Sequence, residues 1–178
     1  MMRGSPVRRL TLIGVALSVS TLLLHGQIAD ALVARGDAEL YRGRWDLAAR
    51  YYERASFFDA EDGVAVDRFC FVSMTFRSSA NDSRCIAMTD RYLKHRPQDA
   101  TVRFDRAMIL RRNGKPGLAF VDFVTVGRQE RDGRAFALAG IEPAKMGRNA
   151  LARVMWKRAL VFAPNLPIAM HRLAAYNR

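Results

Sequence analysis

In GVAVDRFCFVSMTFR, residues 63–77, the apolar positions Val66, Phe69, Cys70 and Met74 recur at intervals of three and four. That spacing puts them on one side of a helix and predicts an amphipathic element. A second helix is expected from about Ser83 to His95, stopped by Pro97, with RSSANDS (77–83) as the loop between them. Asp62-Gly63 and Asp132-Gly133 read as turn dipeptides. The C-terminal NLPIAMHRLAAYNR, residues 165–178, predicts a final helix, with Asn165 placed to cap it ahead of Leu166-Pro167. One segment breaks the amphipathic pattern. LTLIGVALSVSTLLL, residues 10–24, is uncharged throughout, with only Thr and Ser as polar breaks.

The pattern also repeats on a longer period. Ala48, Ala119 and Ala152 each follow a glycine by five positions: Gly43, Gly114 and Gly147. Twelve positions before each alanine stands a small residue, Gly36, Ala107 or Gly140, and four after it an aromatic one, Tyr52, Phe123 or Trp156. The interval from Ala48 to Ala119 is about twice that from Ala119 to Ala152, which leaves room for one further unit between the first two.

This arrangement resembles the tetratricopeptide repeat, a helix–turn–helix of about 34 residues whose small positions mark where two helices cross closely. The resemblance runs from about residue 29 to the C-terminus. It implies an all-α, right-handed superhelical stack of about four repeats, 29–62, 63–99, 100–132 and 133–166, closed by a capping helix over 166–178. Three departures stand out: Arg106 replaces a large apolar residue, Ala60 replaces a proline, and Pro143 falls inside a first helix, where it should shorten or kink it. The second unit needs an insertion of about three residues between its helices. With it, Cys70 lies one repeat length after Gly36, and Cys85 lies one repeat length before Ala119. The resemblance then places both cysteines at a close helix crossing, one of few places where helices approach within disulfide reach. Two reduced cysteines acting as small apolar residues remain the alternative.

The N-terminus bears on the compartment. Residues 1–9 carry Arg3, Arg8 and Arg9 and no acid, ahead of the apolar run. Positive charge stays cytoplasmic, so the rest of the chain is expected to be exported. Ala29-Asp30-Ala31 offers a cleavage pattern, but the run continues through His25-Gly26-Gln27-Ile28 into the first repeat helix. The expectation is an uncleaved transmembrane signal-anchor over 10–28, in a bacterial inner membrane, with residues 29–178 in the periplasm. Export to an oxidising compartment would permit the Cys70–Cys85 bond.

Charge and chemistry narrow the rest. The chain has 178 residues, net charge +12, and 25 Arg to 4 Lys. An anionic polymer, polysaccharide or nucleic acid, is therefore an alternative partner, although aromatics are not interleaved with the basic residues as stacking platforms require. The histidines, His25, His95 and His171, show no metal-ligand spacing, and no nucleophile, phosphate-loop or metalloprotease motif is present. No enzyme activity and no cofactor is expected. In the family, the first helices of successive units line a concave groove. Carried over by position, the candidate groove residues are Tyr41, Phe71, Met74, Phe104, Met108, Arg111, Arg112, Arg134 and Lys145. Such a groove would hold a protein or peptide, and the chain would act as a scaffold, adaptor or assembly factor of an envelope complex.

Overall fold

The computed structural model describes residues 6–176, with side chains described from Leu23 onward. The extreme N-terminus and most of the apolar run's side chains thus lie outside the described residues. So do the last two positions of the expected capping helix. Ten helices and no strand occur among the described residues: α1 (Pro6–Tyr41), α2 (Trp45–Phe58), α3 (Gly63–Phe76), α4 (Ser79–His95), α5 (Ala100–Arg112), α6 (Pro116–Gln129), α7 (Gly133–Ala139), α8 (Ile141–Lys145), α9 (Asn149–Phe162) and α10 (Pro167–Tyr176). Each helix packs on its neighbours in the chain, while α3 also meets α1 and α5, and α2 meets α4. The product is a stack of helix pairs. Among the described residues no helix is long and apolar enough to cross a membrane.

The units share their punctuation. Gly43, Gly114 and Gly147 take φ of 74°, 69° and 72°, and Arg77, one repeat length after Gly43, takes φ 50°. A left-handed residue at this point turns the chain from the first helix into the second, and glycine does so without a Cβ clash. Asp62, Asp99 and Asp132 cap the next first helices by accepting from the backbone N–H groups of Val64 (2.9 Å), Val102 (3.0 Å) and Arg134 (2.7 Å).

The close crossings are equally regular. A Cβ at Gly36 would lie 2.4 Å from the Tyr52 ring, and one at Gly140 would lie 2.4 Å from Nε1 of Trp156. Ala48, Ala55, Ala107, Ala119, Ala152 and Ala159 are fully buried. One core cluster gathers Tyr52, Val66, Phe69 and Ile109, and a second gathers Phe123, Phe136 and Trp156. Gly140→Leu is expected to cost about 1–3 kcal/mol by overpacking against Trp156. Gly117 lies in the first turn of α6 with open space around it, so Gly117→Ala is expected to be neutral or stabilising by up to about 1 kcal/mol. Urea denaturation of both variants checks the pair. Equal midpoints would remove the close crossing from the account.

Two local expectations need amendment, and two departures find their physical reason. The 77–83 loop does not form. Arg77 and Ser78 alone make the turn, and the Ser78 hydroxyl caps α4 by accepting from Asn81 N–H at 3.3 Å. The inserted residues extend α4 by a turn at its start. Asn165 does not cap the last helix. The carbonyl of Leu166 accepts from Met170 N–H at 3.2 Å, so the helix opens at Pro167, one position later. Arg106, at an apolar position of the repeat, is held by carboxylates on both flanking second helices. It donates to Asp122 on α6 at 2.7 and 2.8 Å and to Asp90 on α4 at 2.7 Å. At Pro143 the break lies nearby: α7 ends at Ala139 and α8 resumes at Ile141, with Gly140 pressed against Trp156.

Candidate functional site

Among the first helices α3 meets α1 and α5, and a recess of about 450 Å³ links α5 to the start of α7. Ala100, Thr101, Phe104 and Asp105 form one wall of it, and Val126, Glu130, Asp132 and Arg134 close it. A second recess of about 460 Å³ adjoins it through the shared Thr101 and is lined by Val64, Asp67, Arg68 and Asp99. The edge of Phe104 meets Phe123 at 5.5 Å between centroids, and the Arg111 guanidinium lies 5.9 Å from the same Phe123 ring. Met74 and Met108 are half-buried and pack on the two core clusters. Phe71 is 47% exposed, and Tyr41, at the end of α1, is 94% exposed.

The four cations of the expected groove divide. Arg112 is not a groove residue. Its Nε donates to Asp82 Oδ2 at 2.9 Å, a second bond joins Nη2 to Asp82 Oδ1, and Nη1 and Nη2 reach the carbonyls of Met74 and Ser73 at 3.0 Å. Asp82 sits in the added turn of α4, which is what brings it to the end of α5. Lys145 pairs with the buried Glu142 at 3.1 Å. Arg111 and Arg134 have no carboxylate within ion-pair reach among the described residues, so these two carry the face's available positive charge.

On the acidic side of the face, position in the repeat places Asp37 and Asp67 inward, and Asp105 is the residue that the sequence reasoning missed. Asp67 and Asp105 face each other across α3 and α5. Burial pushes the Asp105 carboxyl up, the hydrogen bond with Asp67 and the charges of Asp67 and Asp99 push it further, and the result is about 7. Near neutrality the Asp105 carboxyl is therefore only partly ionised. Asp37 accepts from the buried Tyr52 hydroxyl at 2.8 Å and meets Arg68 at 3.5 Å. Asp105 follows Phe104 directly on the same face, and that adjacency was the available signal. The surface thus offers the Phe104 ring, the Asp67 and Asp105 carboxyls and the Arg111 and Arg134 guanidiniums.

Cys70 and Cys85 are joined as a disulfide between α3 and α4, with Cα atoms 5.4 Å apart. Asn81, the first residue of the glycosylation-like Asn81-Asp82-Ser83, is buried in the first turn of α4, so it presents no acceptor at the surface.

No known family profile matches the chain, and no curated protein matches its sequence significantly. Solved structures do match. MamA from Desulfovibrio magneticus RS-1 superposes with a TM-score of 0.70 at 18% identity, over 85% of each chain. YrrB, a TPR protein with an unusual peptide-binding site, gives 0.68 at 22% identity over 80% of this chain and 73% of its own. PilF of Pseudomonas aeruginosa gives 0.65 at 17% identity over 85% of this chain and 68% of its own. The fold is that of the tetratricopeptide repeat proteins.

Proposed function

We propose that the chain is a membrane-anchored interaction scaffold whose repeat domain holds a protein or peptide partner on the exported side of a bacterial inner membrane, as an assembly factor of an envelope complex. The observation that carries this reading is the face of the first helices. That face combines the exposed Phe71 and the half-buried Phe104 and Met108 with Arg111 and Arg134, which have no ion-pair partner among the described residues, and with the Asp67–Asp105 pair, the mixture that an extended peptide with alternating side chains requires. The peptide-binding site of YrrB supports the same use of this fold.

The anchor is supported by the first helix. α1 runs unbroken from Pro6 to Tyr41, through the end of the apolar run and into the domain. Ala29 is buried against Ala55 and Ala65, so cleavage after Ala31 would remove a residue from the core. The run over 10–24 is short for a span, and continuing it to Ile28 brings it near the roughly 20 residues required.

Arg111→Glu with Arg134→Glu is the test. Neither guanidinium holds the fold together, so the melting temperature is expected to stay within a few degrees of wild type. Each lost charge-assisted hydrogen bond is worth about 1.5–3 kcal/mol, so capture of envelope proteins by the immobilised domain should fall at least about tenfold. Undiminished capture by a folded double variant would falsify the groove assignment. If the partner sets a lysine or arginine against Asp105, capture should also strengthen as pH rises through 7, because only the ionised carboxylate pairs with a cation.

A further inference from the structure

A different part of the surface is exposed and apolar where the apolar run meets the domain. Leu23 and Leu24, the last residues of that run, are 64% and 55% exposed, and Phe57 at the end of α2 is 78% exposed. α2 runs antiparallel to α1, so its last turn returns to the level at which the run ends. The Phe58 ring lies 6.1 Å from the His25 ring, and Phe57 lies 6.1 Å from Phe58. About one turn up α2 from these rings stands Arg54, and from α4 the Arg91 guanidinium reaches the Ser56 carbonyl at 3.1 Å. Both arginines line a cavity of about 440 Å³ together with Phe57, Arg84 and Met88. Glu53, the carboxylate in that cavity, is turned to Arg84 at 3.4 Å.

We infer that this edge of the domain rests on the bilayer itself, with Phe57 and Phe58 in the interfacial layer and Arg54 and Arg91 against anionic phospholipid headgroups. The inference rests on the anchor proposed above and adds a second, non-covalent attachment beside it. Three features select the lipid surface as occupant. The two rings sit at the height where the apolar run ends. Aromatic rings favour the membrane–water boundary. The arginines lie above the rings, at headgroup height, with a charge opposite to that of anionic lipid. A docked domain would hold the axis of α1 fixed relative to the membrane and so orient the face of the first helices toward partners in the same membrane.

The experiment uses the full-length chain carrying Phe57→Trp, reconstituted in vesicles of phosphatidylcholine alone or mixed with phosphatidylglycerol. Part of the lipid is brominated near the headgroup end of its acyl chains. Wild type in the same vesicles supplies the background of Trp45 and Trp156, and far-ultraviolet dichroism checks the fold of each variant. The expected result is bromine quenching of the introduced tryptophan, increased by phosphatidylglycerol. Adding Arg54→Glu should lower the ratio of docked to free domain in the anionic vesicles by about fivefold or more, the weight of one basic residue at such a surface. A chain that floats with the vesicles and resists carbonate extraction, but whose introduced tryptophan emits as it does in detergent, overturns the docking and leaves the anchor standing. A chain that does not float overturns both. Quenching that ignores lipid charge and the Arg54 substitution overturns the arginine contact.

Discussion

Arg112→Ala should unfold the domain more readily by about 3–5 kcal/mol, the cost of removing one partner from a buried ion pair. What remains is an Asp82 carboxylate 3% exposed, with only the Ser73 hydroxyl and the Asn113 amide, at 2.7 Å, to hold it. Asp82→Ala should cost less, about 2–3 kcal/mol, because the Arg112 side chain is 29% exposed and its head group recovers water. Arg96, whose contact with Glu61 at 2.9 Å is exposed on both sides, is the control, and Arg96→Ala should cost under about 1 kcal/mol. Equilibrium urea curves on the three variants check the order. A similar midpoint shift for Arg112→Ala and Arg96→Ala would show that the buried pair contributes no more than a surface one. The pH dependence has a definite sign. Burial pushes the Asp82 carboxyl up, but hydrogen bonds from Arg112, Ser73 and Asn113 outweigh it and hold the group below the usual carboxylate range. A carboxyl depressed in the folded state adds stability above its unfolded value, near 3.9 for aspartate, and loses it as pH falls through the folded value. Wild type should therefore lose more stability than Asp82→Asn on acidification below about pH 4.

That pair also marks where the sequence stopped being informative. The spacing of Gly36, Ala48, Tyr52 and their counterparts exposed the repeat because close crossings admit only small residues and the ring opposite them must fill the space. The turn glycines were legible for a similar reason, since a left-handed residue restricts what can occupy it. Periodicity assigns a residue to a face, but it does not assign a partner. Arg111 and Arg112 are adjacent and of one type, and both counted toward the inner face. They separate only because α4 begins at Ser79 rather than Ser83, and the added turn delivers Asp82 to one and not the other. The expected loop there rested on polar residues, and Ser78 is polar because it caps a helix. Asp105 adjoins Phe104, but adjacency does not give its charge state. Its character comes from Asp67, on another helix and more than a repeat length away, which position along the chain does not reveal. Arg106 and Arg44 are likewise taken up by Asp122 and Glu39, so composition alone does not say which cations face outward.

The second unit also lacks the feature that closes the other three. Counting four positions on from its close-crossing residue, where units one, three and four carry Tyr52, Phe123 and Trp156, the second carries the fully buried Thr89. No ring stands at that position, and the Cys70–Cys85 bond spans the crossing of α3 and α4. Reduction is therefore expected to destabilise the whole stack by about 3 kcal/mol, from the entropy regained by a 15-residue loop in the unfolded chain. For a chain of this length that corresponds to a melting temperature lower by about 6–12 °C. Calorimetry with and without dithiothreitol measures it, and the Cys70→Ala, Cys85→Ala variant, which has no bond to lose, should not respond to the reductant. An unchanged wild-type melting temperature would mean that the α3–α4 crossing holds without the bond. The same bond reports on the compartment. The chain recovered from washed membranes under non-reducing conditions should have the full-length mass less two hydrogens. Free thiols on a full-length chain would argue against export to an oxidising space. A chain beginning near Leu32 in the soluble fraction would overturn the anchor, and with it the membrane-facing role given to Phe57 and Arg54.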